Sequence, residues 1–336
     1  MVIAPRSRIF MWMTRASDND VSMTIGLDIG GTKINGGVID ECGAILAKGR
    51  RDTPALDPAA IIHEAASLTR ELSLEHKIDA VGVACAAFID RAGSTVYFSP
   101  NLAWRDEPLQ QRLESALGLP VTIENDANAA AWGEFRFGAA DEAANMVMVT
   151  VGTGIGGGIV VDGVLMHGAF GVAAELGHMR VVPGGVRCGC GNRGCWEMYA
   201  SGTALVREAR DLVISGSPLA ARLSELCGGD PSALSGPDVT RAAVEGDPAA
   251  VELLADLGVW IGEGVASVAA ILDPELVVLG GGVSEAGVLL IDPALAAFRR
   301  QLTGRGHRPE ARFALAKLGN DAGMIGAADL AARADR

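Results

Sequence analysis

Residues 23–40 read MTIGLDIGGTKINGGVID. Met23 to Ile29 has the unbroken apolar content of a buried strand. It runs into a glycine turn, and Gly36 to Asp40 reads as a strand returning beside it. The same unit occurs again. NMVMVTV (145–151) leads into GTGIGGG and then IVVDG. Two strand–glycine turn–strand units in one chain predict a duplicated architecture. Around them lie a helix with apolar positions Ile61, Ile62, Ala65, Leu68 and Leu72, and buried strands over Ala80–Phe88 and Pro120–Asp126. A third apolar strand, ELVVL (275–279), runs into GGGVSEAG, and a helix of small residues, DAGMIGAADLAARA, closes the chain. This mixed order predicts an α/β protein with helices layered on sheets.

The chain has 336 residues, 49% of them apolar and 21% charged, which is the composition of a soluble globular protein. A net charge of −13 argues against nucleic acid or an anionic membrane as partner, since either needs a basic surface. No unbroken apolar run reaches the ~18 residues of a membrane span. The apolar stretch IFMWM (9–13) is too short for a signal peptide, so residues 1–22 read as a disordered leader or a mis-assigned start. The expected compartment is the cytoplasm, where thiols stay reduced.

Glycine turns let backbone N–H groups approach phosphate oxygens, and three are present, at Gly30–Lys33, Gly152–Gly158 and Gly280–Gly282. GTGIGG fits the dinucleotide fingerprint in letters only, because a strand follows where that fingerprint needs a helix. No Walker A motif occurs. A bound nucleotide is therefore expected between hairpin turns. Asp28 is a charge in an apolar strand just before the first turn. It either caps the turn or serves, directly or through water, as a ligand for Mg²⁺.

IENDANAAA places Asn125 and Asp126 where a strand passes into a helix. Either residue suits a helix cap. Equally, Asp126 suits a proton acceptor for a substrate hydroxyl, with Asn125 holding a neighbouring hydroxyl. Asn101 lies in the loop SPNLAW, and Glu175 and His178 share one side of a helical turn. Three of the six cysteines fall between 188 and 195. His178, Cys188, Cys190 and Cys195 make a four-donor set suited to tetrahedral zinc. Four protein ligands close the site, so this zinc is expected to be structural. The alternative is three buried cysteines beside a surface histidine.

Together DIGGTK, ENDANAA, VGTGIGGG and ELGH-x9-CxCGxxGCxE resemble the ROK family of sugar kinases and sugar-responsive repressors, from about Met23 to the C-terminus. The resemblance implies an actin-like fold with ribonuclease-H-like units in two lobes and a cleft between them. The smaller lobe would hold residues 23–130 and 322–336, and the larger one residues 131–321 with the zinc motif. It implies phosphoryl transfer from ATP, with Mg²⁺, to the 6-hydroxyl of glucose. Asp126 would be the general base, with Asn101, Asn125, Glu175, His178 and Glu197 on the sugar. ATP would lie on Asp28, Gly30, Gly31, Thr32, Lys33, Gly152, Thr153, Gly154, Gly280, Gly281 and Gly282. Another hexose, or polyphosphate as donor, would be served by the same residues. The repressors of the family carry an N-terminal DNA-binding module, for which the residues before Met23 are too few. A homodimer or homotetramer is expected. Ala87 stands where family members often have a glycine in the sugar-facing turn.

Overall fold

The structure is a computed structural model that describes residues 23–140 and 142–334; the expected leader, 1–22, lies outside them. The first sheet begins with β1 (Met23–Ile29), β2 (Lys33–Ile39), β3 (Ile45–Asp52) and β4 (Ile78–Cys85). A small sheet follows, made of β5 (Phe88–Ile89), β6 (Val96–Phe98) and β7 (Arg105–Glu107), and β8 (Val121–Asn125) then rejoins the first sheet. The second large sheet contains β9 (Met146–Val151), β10 (Ile155–Val161), β11 (Val164–Leu165), β12 (Leu276–Gly280) and β13 (Arg312–Leu315).

The two large sheets share one topology. Their orders are β3-β2-β1-β4-β8 and β11-β10-β9-β12-β13. In each, three strands form an antiparallel meander, and two more add parallel to its first strand. The duplication expected from the glycine turns is therefore a duplication of whole sheets. The strand expected over Ala80–Phe88 ends at Cys85, because Ala86 and Ala87 leave the sheet and Phe88 opens β5.

Each sheet has its own core. Ile25, Leu27, Val81, Val83 and Ile123 pack on Ile61 and Leu68 of helix Pro58–Leu72. Val147, Val149, Val277 and Leu279 pack on Leu254, Ile261 and Val265 of helix Pro248–Leu272. That 25-residue helix is long and apolar enough to cross a membrane by length and composition, but it runs through the second core with over half of its apolar window buried.

Missing side chains set the junction between the sheets. Helix Ala322–Arg333 lies so close to the first sheet that a Cβ on Gly26 would stand 1.9 Å from the Met324 carbonyl oxygen, and one on Gly82 1.9 Å from that of Ala327. On its other side a Cβ on Gly326 would meet Ala129 O at 1.8 Å, in helix Asp126–Phe137. A Cβ on Gly158 of β10 would meet Ala131 Cβ at 2.2 Å. Helix Asp126–Phe137 is thus gripped between the C-terminal helix and the second sheet, and its first turn is held where the two sheets face each other. The division expected at 130/131 falls within this helix.

Candidate functional site

Parallel pairing brings three strand ends to one edge. Asp28 lies opposite Ala84, Ala84 opposite Glu124, and Cys85 opposite Asn125. Asn125 is the cap of helix Asp126–Phe137: its Oδ1 accepts from the N–H groups of Ala127 (2.9 Å) and Asn128 (3.1 Å). Its amide donates to Ala87 O at 3.2 Å, which ties the helix start to the turn after β4. Asp126 begins the helix, and its Oδ1 accepts from Ala127 N at 2.9 Å. Burial pushes the Asp126 carboxyl up, against the pull of that N–H. Burial first, and the Asp126 charge second, push Asp28 up to about 7. Two neighbouring carboxylates whose pKa values are both raised by burial mark a site where a proton or a cation is handled.

Both acids line a cleft of about 500 Å³ between the sheets. Asn101, Asn125, Glu175, His178, Gly152, Thr153, Gly154 and Gly281 share its wall. A second cavity, of about 1440 Å³, starts from the same Gly152 and Thr153 and runs past Thr203 and Gly282. The turn between β9 and β10 is braced by helix Gly202–Ile214, where Gly202 N donates to Gly152 O (2.8 Å) and Thr203 Oγ1 to Thr153 O (2.6 Å). Gly281, at φ +82°, sits so close to Val151 that a Cβ would stand 2.5 Å from its carbonyl oxygen.

Not every expected residue faces the cleft. Gly30, Gly31 and Thr32 are not among the residues that line it; Gly31 packs against Asn101, and Gly280 pairs with Thr150 inside the second sheet. Lys33 is turned to an ion pair with Asp52. Glu197 also lies outside the lining, packed so that Oε2 is 2.7 Å from where a Cβ on Gly154 would stand. Conversely Gly319, Asn320 and Gly323 reach the cleft from the start of the C-terminal helix. The sequence there, GNDAG, reads only as a helix start.

His178, Cys188, Cys190 and Cys195 offer donor atoms that all lie within 4.8 Å of one another. Cys190 Sγ is 3.6 Å from Cys195 Sγ, and Cys188 Sγ is 3.7 Å from His178 Nδ1. The other ring nitrogen, Nε2, faces Glu175 at 3.9 Å. Burial pushes Glu175 up, against the pull of His178. Glu197 Oε1 accepts from Cys188 Sγ (2.9 Å) and lies 3.5 Å from His178 Nδ1. The cluster and the cleft therefore share one histidine.

A duplicated sheet with strand-end acids, glycine turns and a cleft at the junction defines the actin-like sugar kinase type. The family model described as "ROK family" matches residues 24–334, and the chain belongs to that family. It is 47% identical over 315 residues to a glucokinase of Streptomyces coelicolor, covering 94% of this chain and 99% of that one. It is similar, with a TM-score of 0.85 and 47% identity, to the crystal structure of a ROK family glucokinase from Streptomyces griseus in complex with glucose and AMPPNP, covering 93% of this chain and all of that one. A ROK hexokinase from Thermus thermophilus is 35% identical, with a TM-score of 0.76 and coverage of 92% and 98%.

Proposed function

We propose that the protein is a glucokinase, transferring the γ-phosphoryl group of ATP to the 6-hydroxyl of glucose. One observation carries the reading: a single cleft gathers Asp126, Asp28, Asn101, Asn125, Glu175, His178 and a glycine turn in a volume suited to a small ligand. The likeness to glucokinases at 47% identity, one of them complexed with glucose and an ATP analogue, supports it.

Asp126 is the base. One of its oxygens is occupied by Ala127 N–H, which leaves the other for the proton of the attacking hydroxyl. Asn101, the free amide hydrogen of Asn125, Glu175, and His178 through Nε2 read the remaining hydroxyls, joined by Glu197 from the cysteine loop. Of the three glycine turns, the one at Gly152–Gly154 lines the cleft together with Gly281; these are placed beside the phosphates, and the larger cavity takes the adenosine. Mg²⁺, when bound, neutralises charge between the phosphate oxygens. Asp28 is the residue placed to hold it.

Zinc fits the cysteine cluster. Tetrahedral zinc with Zn–S bonds of ~2.3 Å requires S···S edges of ~3.8 Å, and Cys190 and Cys195 stand 3.6 Å apart. Its place is structural: His178 Nδ1 points into the cluster and Nε2 toward the sugar side, so the metal orients a substrate contact. We read the molecule as two lobes meeting at the cleft, a cytoplasmic homodimer or homotetramer with no nucleic-acid or membrane partner. The test is ADP release across a panel of hexoses, with ATP or polyphosphate as donor. Glucose with MgATP is expected to give the highest kcat/KM; turnover of a different hexose alone, or of polyphosphate alone, would refute the reading.

A further inference from the structure

Glu124 is almost fully buried at the end of β8, directly before Asn125 and Asp126. Its Oε1 accepts from Asn125 N (2.9 Å) and Asn128 Nδ2 (3.0 Å). Its Oε2 meets His167 Nε2 at 2.6 Å. His167 belongs to the other sheet's side of the cleft, two residues after β11. Its carbonyl accepts from Ala173 N at 3.1 Å and so closes the loop 167–173. Ala173, Ala174 and Glu175 follow and line the cleft. This loop rests on the first half of the chain at two more points. Arg91 donates to Gly168 O, and Gly171 is so close to β5 that a Cβ there would stand 2.3 Å from Ile89 O. His167 is thus a side chain of the loop that reaches the strand end bearing the base. The hydrogen bond to Glu124 raises the His167 pKa, against burial and the nearby Arg91.

We propose that His167 is a positioning residue which, through Glu124, locks the loop carrying Glu175 and His178 to the strand end carrying Asn125 and Asp126, and so sets the affinity for the sugar. His167 does not itself line the cleft. It acts by fixing the distance between two groups of sugar contacts that arise on different sheets. Deleting it leaves Glu124 as a buried carboxylate without its partner. The loop then loses the side-chain tie of His167 to β8, and sugar contacts on the two sides no longer hold a common geometry. ATP contacts lie on other turns and are not tied through this pair. The proposal rests on reading the cleft as the sugar site.

The test compares two amides of different reach. Gln places its NH₂ near the position of His Nε2, and Asn places it near that of Nδ1, short of Glu124. His167→Asn is expected to raise the glucose KM roughly 10–100-fold, the range for a lost hydrogen bond to a buried charge, with the KM for MgATP changing by less than about threefold. His167→Gln should restore the glucose KM to within about threefold of wild type, since a neutral donor again meets Glu124. Adding Glu124→Gln to His167→Asn should recover part of the loss, because the unpaired charge is gone. Amide hydrogen exchange of residues 173–178, in the ligand-free protein, should speed up in His167→Asn and stay as in wild type in His167→Gln. The proposal is overturned if both variants keep the wild-type glucose KM, or if both KM values, kcat and melting temperature shift together in both variants. The wild-type assay is the separate control: absence of glucose turnover there sinks the functional reading, while the exchange data still decide whether His167 holds the loop.

Discussion

Replacing Asp126 by Asn tests the base with little disturbance of its surroundings. The side chain keeps its shape, and the amide oxygen still accepts from Ala127 N, the 2.9 Å bond that Asp126 makes now. Asn125 still caps the helix through Ala127 and Asn128, so the fold at the junction should hold. What changes is the second oxygen, which becomes an NH₂ group that accepts no proton. Removing a general base costs roughly 10²–10⁴ in rate, or about 3–5 kcal/mol of transition-state stabilisation. Glucose affinity should change little, because an amide still hydrogen-bonds a hydroxyl. The structure adds a second signature. The Asp126 charge is part of what raises Asp28 to about 7, so the residual activity of Asp126→Asn should have its acid limb moved to lower pH. The assay is initial-rate ADP release at saturating glucose and MgATP across pH 5–9. A variant that keeps half the wild-type kcat would refute Asp126 as the base. An unmoved acid limb in an otherwise slowed enzyme would refute the coupling of the two acids.

Asp28 makes a prediction about pH and stability. Its folded pKa, about 7, lies above its ordinary value, so the ligand-free native state binds more protons than the unfolded chain in that window. The stabilisation is fully present below about pH 4 and is lost as pH rises through 7; melting temperatures of ligand-free Asp28→Asn should therefore fall less between pH 5 and 8 than those of wild type, and equal slopes would refute this. Metal analysis should find one zinc per chain, and Cys190→Ala should lose it and raise the glucose KM far more than the ATP KM; a zinc-free variant with wild-type glucose affinity would remove the metal from the sugar site. Gly82→Ala should lower stability by roughly 1–3 kcal/mol or more in urea unfolding, because its Cβ would lie 1.9 Å from the Ala327 carbonyl oxygen; an unchanged midpoint would mean the C-terminal helix is not pressed on the sheet as described.

The glycine turns made the duplication legible, because a strand, a turn and a returning strand are all local in sequence. The outer strands were not. β13 has only four residues, RFAL, and its place is set by pairing with β12, not by any pattern of its own. Helix Pro248–Leu272 escaped a reading based on motifs, since it carries none and is defined by burial in the second core. In the site, either Asn125 or Asp126 suited the helix cap on sequence alone. The structure gives the cap to Asn125, whose Oδ1 takes two helix N–H groups, and both residues line the cleft. Lys33 was grouped with the first turn because it follows GGT, yet its side chain goes to Asp52 on β3, a partner that only sheet pairing supplies.

Glu124 and His167 show where reading along the chain runs out. Glu124 is a charge beside the helix start in IENDANAAA, but His167 sits in a loop with no motif around it. The two become a pair only because the loop after β11 reaches the end of β8. The same holds for the C-terminal helix. Its small residues read only as a closing helix, while the structure uses their size to bring backbone against Gly26, Gly82 and helix Asp126–Phe137. A single methyl at any of these contacts would push the helix start, and Gly319, Asn320 and Gly323 with it, away from the two acids. The cleft chemistry therefore depends on positions that carry no functional group at all. Substitutions at Gly26, Gly82 or Gly326 should accordingly raise substrate KM values as well as lower stability, and stability loss with unchanged KM would break that link.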